Sequence, residues 1–145
     1  MASSTQYCRI RCIGVPDVTS DRTKLRLSQL KDAVERLGES LAENETEFMR
    51  DSIIKRFEIA FELAWHALQE LLHEEGIDAN SPTRAAQAAF QLGWIEDQKG
   101  WSEMLENRNL TVHVYEKSVA IQVSAYVRAK GHMLLQQLVA KIVPQ

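Results

Sequence analysis

Apolar side chains recur every three or four residues through most of this 145-residue chain, which predicts a protein built from amphipathic helices. A first helix is predicted over residues 24–42, where leucines and a valine form one stripe. A longer second helix is predicted over residues 45–75, with Asn44 as its capping residue and Gly76 just beyond its last turn. Because the second helix is the longest, we expect the other helices to pack along it.

Three further helices complete the predicted set. Ser81 and Pro82 open a third helix with a capping serine and a proline at the first helical position, and this helix stops at Gly93. A fourth helix starts near Asp97, and a fifth runs from about residue 115 or 116 to residue 143. Since the sequence contains no strand-turn-strand unit, it predicts an all-α, up-and-down bundle of about five helices.

The N-terminal residues 1–22 differ from the rest of the chain because they show no helical period. We expect them to form a poorly ordered, irregular arm ahead of one helical-bundle domain at residues 23–145. Cys8 and Cys12 are the only cysteines, and two thiols alone cannot complete a structural zinc site. Reduced thiols in a cytoplasmic protein are the simpler interpretation.

Charge and hydropathy disfavour two classes of function. The net charge of −3 is not typical of a protein that relies on nonspecific phosphate contacts. Any RNA site must therefore be local, or be assembled from two chains. No apolar run reaches the length of a membrane span, so no membrane association is expected.

The densest group of reactive side chains lies between the fourth and fifth helices, where Arg108, Asn109 and His113 occur close together. On a straight helix Arg108 and His113 would point about 140° apart, because 3.6 residues make a turn. They converge only if the helix breaks between them or if two chains contribute. Asn109 and Thr111 favour such a break, and the β-branched residues there predict a short extended bend over residues 111–114. Alternatively, Arg108 caps helix carbonyls and His113 is a buried, satisfied histidine.

The segment from Arg108 to Tyr115 resembles the signature of the HEPN superfamily of small helical proteins. Two flanking blocks, at residues 101–105 and 50–65, sharpen the resemblance toward the branch known as nucleotidyltransferase substrate-binding proteins. That branch is related to the HEPN toxins encoded beside minimal nucleotidyltransferases. The resemblance covers about residues 25–142 and implies a HEPN-like fold for the helical domain.

The resemblance implies catalytic roles for Arg108, His113 and Asn109 in metal-independent RNA cleavage, acting in a composite cleft of a homodimer. In that chemistry the 2′-hydroxyl attacks the adjacent phosphate while His113 moves a proton and Arg108 holds the phosphate. Asn109 would position either group. The resemblance also implies that the partner enzyme adds AMP to Tyr115, although an interfacial tyrosine with a packed ring explains the residue equally well.

Helix 2 carries four residues of the block that supports the resemblance, and we expect them to bind substrate or partner: Arg56, Glu58, Glu62 and Trp65. The alternative for this block is a set of charge pairs four residues apart on a solvated face. His66, Glu70 and His73 share a helix face, but three such ligands are a weak signal for a metal. We therefore expect no metal and no cofactor.

Two functional hypotheses follow. In the first, the chain is a HEPN-type toxin of a toxin–antitoxin pair, a homodimer with latent endoribonuclease activity that a minimal nucleotidyltransferase silences. In the alternative, it is a non-catalytic subunit that binds a substrate or nucleotide for the nucleotidyltransferase. Helical scaffolding is a weaker third hypothesis, because it leaves the polar motif unused. The chain lacks the Gly-Ser and paired-Asp motifs of a nucleotidyltransferase, so it is not that enzyme itself.

Overall fold

The computed structural model describes residues 19–144, and within that range the chain is helical and contains no strand. A π-helical segment (Val127–Gly131) joins the last two α-helices into one long helix, and a 3-10 turn (Thr111–His113) follows the fourth α-helix. The predicted all-α bundle of about five helices is confirmed. The helices are α1 (Asp21–Leu41), α2 (Glu47–Glu74), α3 (Pro82–Gln91), α4 (Gln98–Leu110), α5 (Lys117–Tyr126) and α6 (His132–Ile142).

The longest helix, α2, lies at the centre of the bundle, as predicted. It forms its most extensive contact with α1, and α3, α4, α5 and α6 also pack against it. Its apolar residues recur at helical spacing and are buried together, so one face of α2 supplies much of the core. Four aromatic rings fill the centre of this core at centroid distances between 6.4 and 6.5 Å: Phe57, Phe61, Trp101 and Tyr126.

The helix starts are fixed by side-chain caps. The Ser20 hydroxyl accepts a hydrogen bond from the Thr23 amide at 3.1 Å, so α1 begins at Asp21. The predicted arm therefore loses its last two residues to α1, and residues 1–18, with both cysteines, lie outside the described residues. For α2 the predicted cap, Asn44, is wrong: the Thr46 hydroxyl accepts from the Met49 amide at 3.0 Å.

The helix break after Arg108 exists, but its shape differs from the prediction. Residues 111–113 continue in a 3-10 turn, so the extended bend predicted over residues 111–114 is wrong. Thr111 is buried, and its hydroxyl donates to the Arg108 carbonyl at 2.7 Å, which ties this β-branched residue back to the end of α4. The α-helix then restarts at Lys117, after the predicted start.

The π-helical segment between α5 and α6 packs closely on the core, which the sequence pattern does not predict. A β-carbon on Gly131 would lie 2.9 Å from the Tyr126 ring, so glycine is needed for this contact. Burial raises the pKa of the Tyr126 hydroxyl, which donates to the Gly100 carbonyl at 3.3 Å. Nearby, Nζ of Lys130 lies 3.3 Å from Oε2 of Glu103 and 3.5 Å from Oδ2 of Asp97. These contacts fix the long helix against α4.

Within residues 19–144 no helix combines the length and the apolar composition needed to cross a membrane.

The packing of α2 generates a stability prediction. Phe61 is 2% exposed, so Phe61→Ala should lower the free energy of unfolding by about 3–5 kcal/mol through lost burial and a residual cavity. Phe48 lies on the same helix but is 86% exposed, so Phe48→Ala should change the free energy of unfolding by less than about 0.5 kcal/mol. Urea denaturation of the two variants measures both values, and equal destabilisation would contradict the central placement of α2.

Candidate functional site

Arg108 is held by a carboxylate of α2. Its Nε and Nη2 atoms both donate to Oε1 of Glu62 at 3.0 Å, which joins the last turn of α4 to the middle of α2. The other Glu62 oxygen, Oε2, accepts from the Trp65 indole at 3.1 Å and lies 3.7 Å from Nε2 of His66. We call these four residues the Glu62 cluster: Glu62, Trp65, His66 and Arg108.

The Glu62 cluster orients Arg108 more than it stabilises the fold. The Arg108 side chain is 27% exposed and the Glu62 side chain 41% exposed, and an ion pair this close to solvent contributes about 0–1 kcal/mol. The Trp65 and His66 rings contact each other, with centroids 4.1 Å apart, and both present a ring nitrogen to Oε2 of Glu62, which restricts that carboxylate. Among the described residues, the N–H groups of Arg108 other than those on Glu62 have no hydrogen-bond partner, an arrangement suited to an anionic ligand.

His113 and Tyr115 form a separate contact beyond the end of α4. Nδ1 of His113 and the Tyr115 hydroxyl lie 3.3 Å apart, and the two rings meet edge to face at 5.9 Å. Both side chains are exposed, so His113 is not the buried histidine of the structural alternative. Asn109 is also exposed. Within residues 19–144, the hydrogen bonds of Arg108 go to Glu62 and not to His113, so one chain alone does not bring the two together.

The four helix-2 residues predicted to bind substrate or partner fall into two groups. Glu62 and Trp65 join Arg108 in the Glu62 cluster. Glu58 lies 3.8 Å from Nζ of Lys55 in a partly exposed charge pair, at a spacing of three residues where the charge-pair alternative expects four. Arg56 faces α1, where it donates to the Arg36 carbonyl and lines a shallow groove. The structure thus brings two of the four to the motif.

A cavity of about 490 Å³ opens beside the Glu62 cluster, between the start of α1, the C-terminal half of α2 and the loop that follows α2. We call it the α1–α2 cavity. Eight of the residues that line it come from the two helices, three from α1 and five from α2: Arg22, Thr23, Arg26, His66, Gln69, Glu70, His73 and Glu74. His66 belongs to both the cavity and the Glu62 cluster, so the two features share one face of α2.

The described residues contain no cluster of three or more His, Cys, Asp or Glu side chains that could hold a metal ion. His66, Glu70 and His73, which share a helix face in the sequence, line the α1–α2 cavity without converging. The Glu70 carboxylate is bound instead by arginines of α1, with Nε of Arg22 at 3.2 Å and Nη2 of Arg26 at 3.3 Å from the same oxygen.

Sequence reasoning misses two features of this face. The pairing of Arg108 with Glu62 joins residues 46 positions apart, and no local pattern indicates it. Arg22 and Arg26 are not among the candidates, because the absence of a helical period assigns Arg22 to the arm. The sequence does carry one signal for this face. Arg22 and Arg26 are four residues apart, as are Glu70 and Glu74, and a spacing of four places each pair on one face of a helix.

Comparison with known proteins places the chain in a family. A family model described as nucleotidyltransferase substrate binding protein like matches residues 25–143. The fold is similar to the crystal structure of ttk003001694 from Thermus thermophilus, with a TM-score of 0.71 and 30% sequence identity, covering 77% of this chain and 96% of that chain. A comparison with curated proteins finds no match. The chain therefore belongs to the nucleotidyltransferase substrate binding protein like family.

Proposed function

We propose that this chain is a non-catalytic subunit that binds the substrate or nucleotide of a separate, minimal nucleotidyltransferase and presents it to that enzyme. The family supports association with a nucleotidyltransferase. The observation that carries the proposal is the pairing of Arg108 with Glu62 beside the α1–α2 cavity. A guanidinium that is held by a carboxylate next to a cavity can anchor an anionic group of a ligand.

The motif serves binding better than catalysis in this arrangement. Arg108 and His113 make separate contacts, with Glu62 and Tyr115 respectively, and the described residues show no hydrogen bond that joins the two. Presentation of a substrate needs no proton transfer from this chain. It needs an oriented anchor and a second protein that supplies the chemistry.

We also propose that the subunit is a homodimer whose interface includes residues 108–115. Large apolar side chains are exposed around the 3-10 turn and along α5, and a partner that covered them would remove apolar surface from water, which is favourable. Val112 is 67% exposed, Tyr115 is 77% exposed and Ile121 is 44% exposed.

RNA cleavage is the second candidate function, and the exposure of His113 favours it. An exposed imidazole outside the α-helix is free to meet an arginine from a second copy, as in the composite cleft of HEPN toxins. In that case the chain is the toxin of a toxin–antitoxin pair. The Tyr115 hydroxyl lies 3.3 Å from Nδ1 of His113. AMP added to that hydroxyl would therefore place negative charge near His113 and would block a polyanionic substrate.

Complex formation tests the proposed function. The chain, co-expressed with a minimal nucleotidyltransferase from its own genome, should co-elute with that enzyme in size-exclusion chromatography. Elution of two separate proteins at micromolar concentration would contradict the proposal.

Self-association is tested on the chain alone. Light scattering should report a dimer, and Val112→Asp should shift it to a monomer because a charge in an apolar interface is costly. The matched control is Leu25→Asp, which alters a side chain of α1 that is 60% exposed and should leave the dimer intact. A monomeric parent protein would refute the dimer, and dissociation by both variants would refute its placement at residues 108–115.

An RNA assay separates the two candidate functions. As a binding subunit, the purified chain should leave a mixed RNA substrate intact, and His113→Ala should change nothing. As a toxin, it should cut RNA without added metal, His113→Ala should remove that activity, and Tyr115→Phe should keep it but escape silencing by the partner with ATP. Cleavage that depends on His113 would overturn the non-catalytic proposal.

A further inference from the structure

The α1–α2 cavity has the dimensions of a small-molecule site. Its volume of about 490 Å³ falls in the range of about 300–1,000 Å³ that is usual for ligand pockets. Its walls are helices, and its remaining edge is formed by residues 77–80, which are pinned by a hydrogen bond from Gln69 to the Ala79 carbonyl at 2.8 Å. The two helices and this pinned loop therefore hold the shape of the cavity.

The basic groups of this cavity have unused donors. Arg22 and Arg26 each direct one nitrogen at the same Glu70 oxygen, which holds two guanidinium groups side by side and offsets their mutual repulsion. An arginine carries five N–H donors, so within residues 19–144 most donors of this pair are not engaged. Two adjacent guanidinium forks match the oxygens of a phosphate group.

The acidic groups of the cavity are largely engaged inside the protein. Oε1 of Glu74 accepts from the Ser20 amide at 3.1 Å and from the Thr23 hydroxyl at 3.0 Å. The second oxygen of Glu70 is closed to solvent and has no hydrogen-bond partner among residues 19–144, so a ligand cannot reach it in this conformation. Asp78 differs from these two glutamates: its side chain is 83% exposed at the cavity edge, 3.2 Å from Nδ1 of His73, and it keeps acceptor capacity. The free hydrogen-bonding capacity is thus mostly that of donors, which favours an anionic ligand.

The balance of charge favours a small ligand over RNA. Two arginines and three carboxylates line the cavity, so its electrostatic potential is not positive enough at long range to attract a polyanion. Recognition must come from short, directed hydrogen bonds. Asp78 and Asn80 lie at the loop edge, where they can accept from hydroxyl or amino groups of a ligand whose phosphate rests on the arginine pair. A phosphate, hydroxyl groups and an amino group together describe a nucleotide.

We propose that the α1–α2 cavity binds a mononucleotide, with its phosphate on Arg22 and Arg26 and its sugar or base toward Asp78 and Asn80. This proposal rests on the proposed function and names the substrate class of the binding subunit. His66 connects the cavity to Arg108, because it lines the cavity and lies 3.7 Å from the Glu62 oxygen opposite the one that holds Arg108. A bound nucleotide therefore lies beside the anchor of the motif arginine.

Isothermal titration of the full chain tests the proposal, with AMP, adenosine and inorganic phosphate as probes. AMP should bind, whereas adenosine should bind at least about ten-fold more weakly because it lacks the charge-assisted hydrogen bonds of the phosphate. Inorganic phosphate should bind more weakly than AMP and compete with it. Adenosine binding as tightly as AMP, or no AMP binding at millimolar concentration, would overturn the proposal.

Variants locate the site. Arg22→Ala should weaken AMP binding by about ten-fold, and the 80% exposure of this side chain means that its loss leaves the fold intact. The matched control is Arg84→Ala, which removes an exposed arginine of α3 outside the cavity and should leave affinity unchanged. Equal effects of the two variants would refute the site. A single-stranded RNA that binds more tightly than AMP, and depends on Arg22, would refute the ligand class.

The outcome is separable from that of the proposed function. If the chain co-elutes with its nucleotidyltransferase but fails to bind AMP, the cavity proposal is wrong and the partner assignment stands. If AMP binds through Arg22 and no complex with the enzyme forms, the proposed function is wrong and the cavity is a nucleotide site of another system.

Discussion

Burial of the apolar face of α2 is the constraint on which the rest of the structure depends. The other helices pack against this helix, and its aromatic residues meet those of α4 and α5 at the centre of the core. Because a helix advances 3.6 residues per turn, fixing the buried face also fixes where the neighbouring polar positions point. The site is thus a consequence of core packing, because no flexible loop is needed to aim its main residues.

The consequence is a row of polar residues four apart along the flank of α2. We call Glu62, His66, Glu70 and Glu74 the polar row. Glu62 holds Arg108 from α4, and Glu70 holds Arg22 and Arg26 from α1. His66 lies between them, and Glu74 ends the row by accepting from residues that cap α1. One helix thereby orients cationic groups from two neighbouring helices. Partly exposed ion pairs of this kind contribute little to stability, so orientation is their main physical effect.

The sequence predicts the elements of this fold well, because helical periodicity and caps are local signals. The positive φ of Gly76 and of Gly93, 82° in each, confirms the helix ends that their positions indicate. The 3-10 turn after α4 is not predicted, because a tertiary position in which Thr111 is buried overrides the strand preference of β-branched residues. The π-helical segment depends on a contact between Gly131 and Tyr126 that no residue pattern encodes.

The site is predictable only in part, for the same reason. A local motif indicates Arg108, and a neighbouring block indicates Glu62 and Trp65, but only the tertiary fold joins them. The cavity escapes prediction because its walls come from the start of α1 and the end of α2, which lie about as far apart in the sequence as Arg108 and Glu62 do.

In the proposed mode of binding, the polar row of α2 joins the cavity and Arg108 into one ligand site. The most direct measurement is a two-dimensional NMR titration of the ¹⁵N-labelled chain with AMP, observed at the indole N–H of Trp65 and the Nε–H of Arg108. Both groups donate to Glu62, so both resonances should shift together with the amides of residues 66–74. The indole resonance of Trp94, which lines a separate cavity, should not shift. Shifts confined to Trp94 and its surroundings, or amide shifts that leave Trp65 and Arg108 unchanged, would contradict the account.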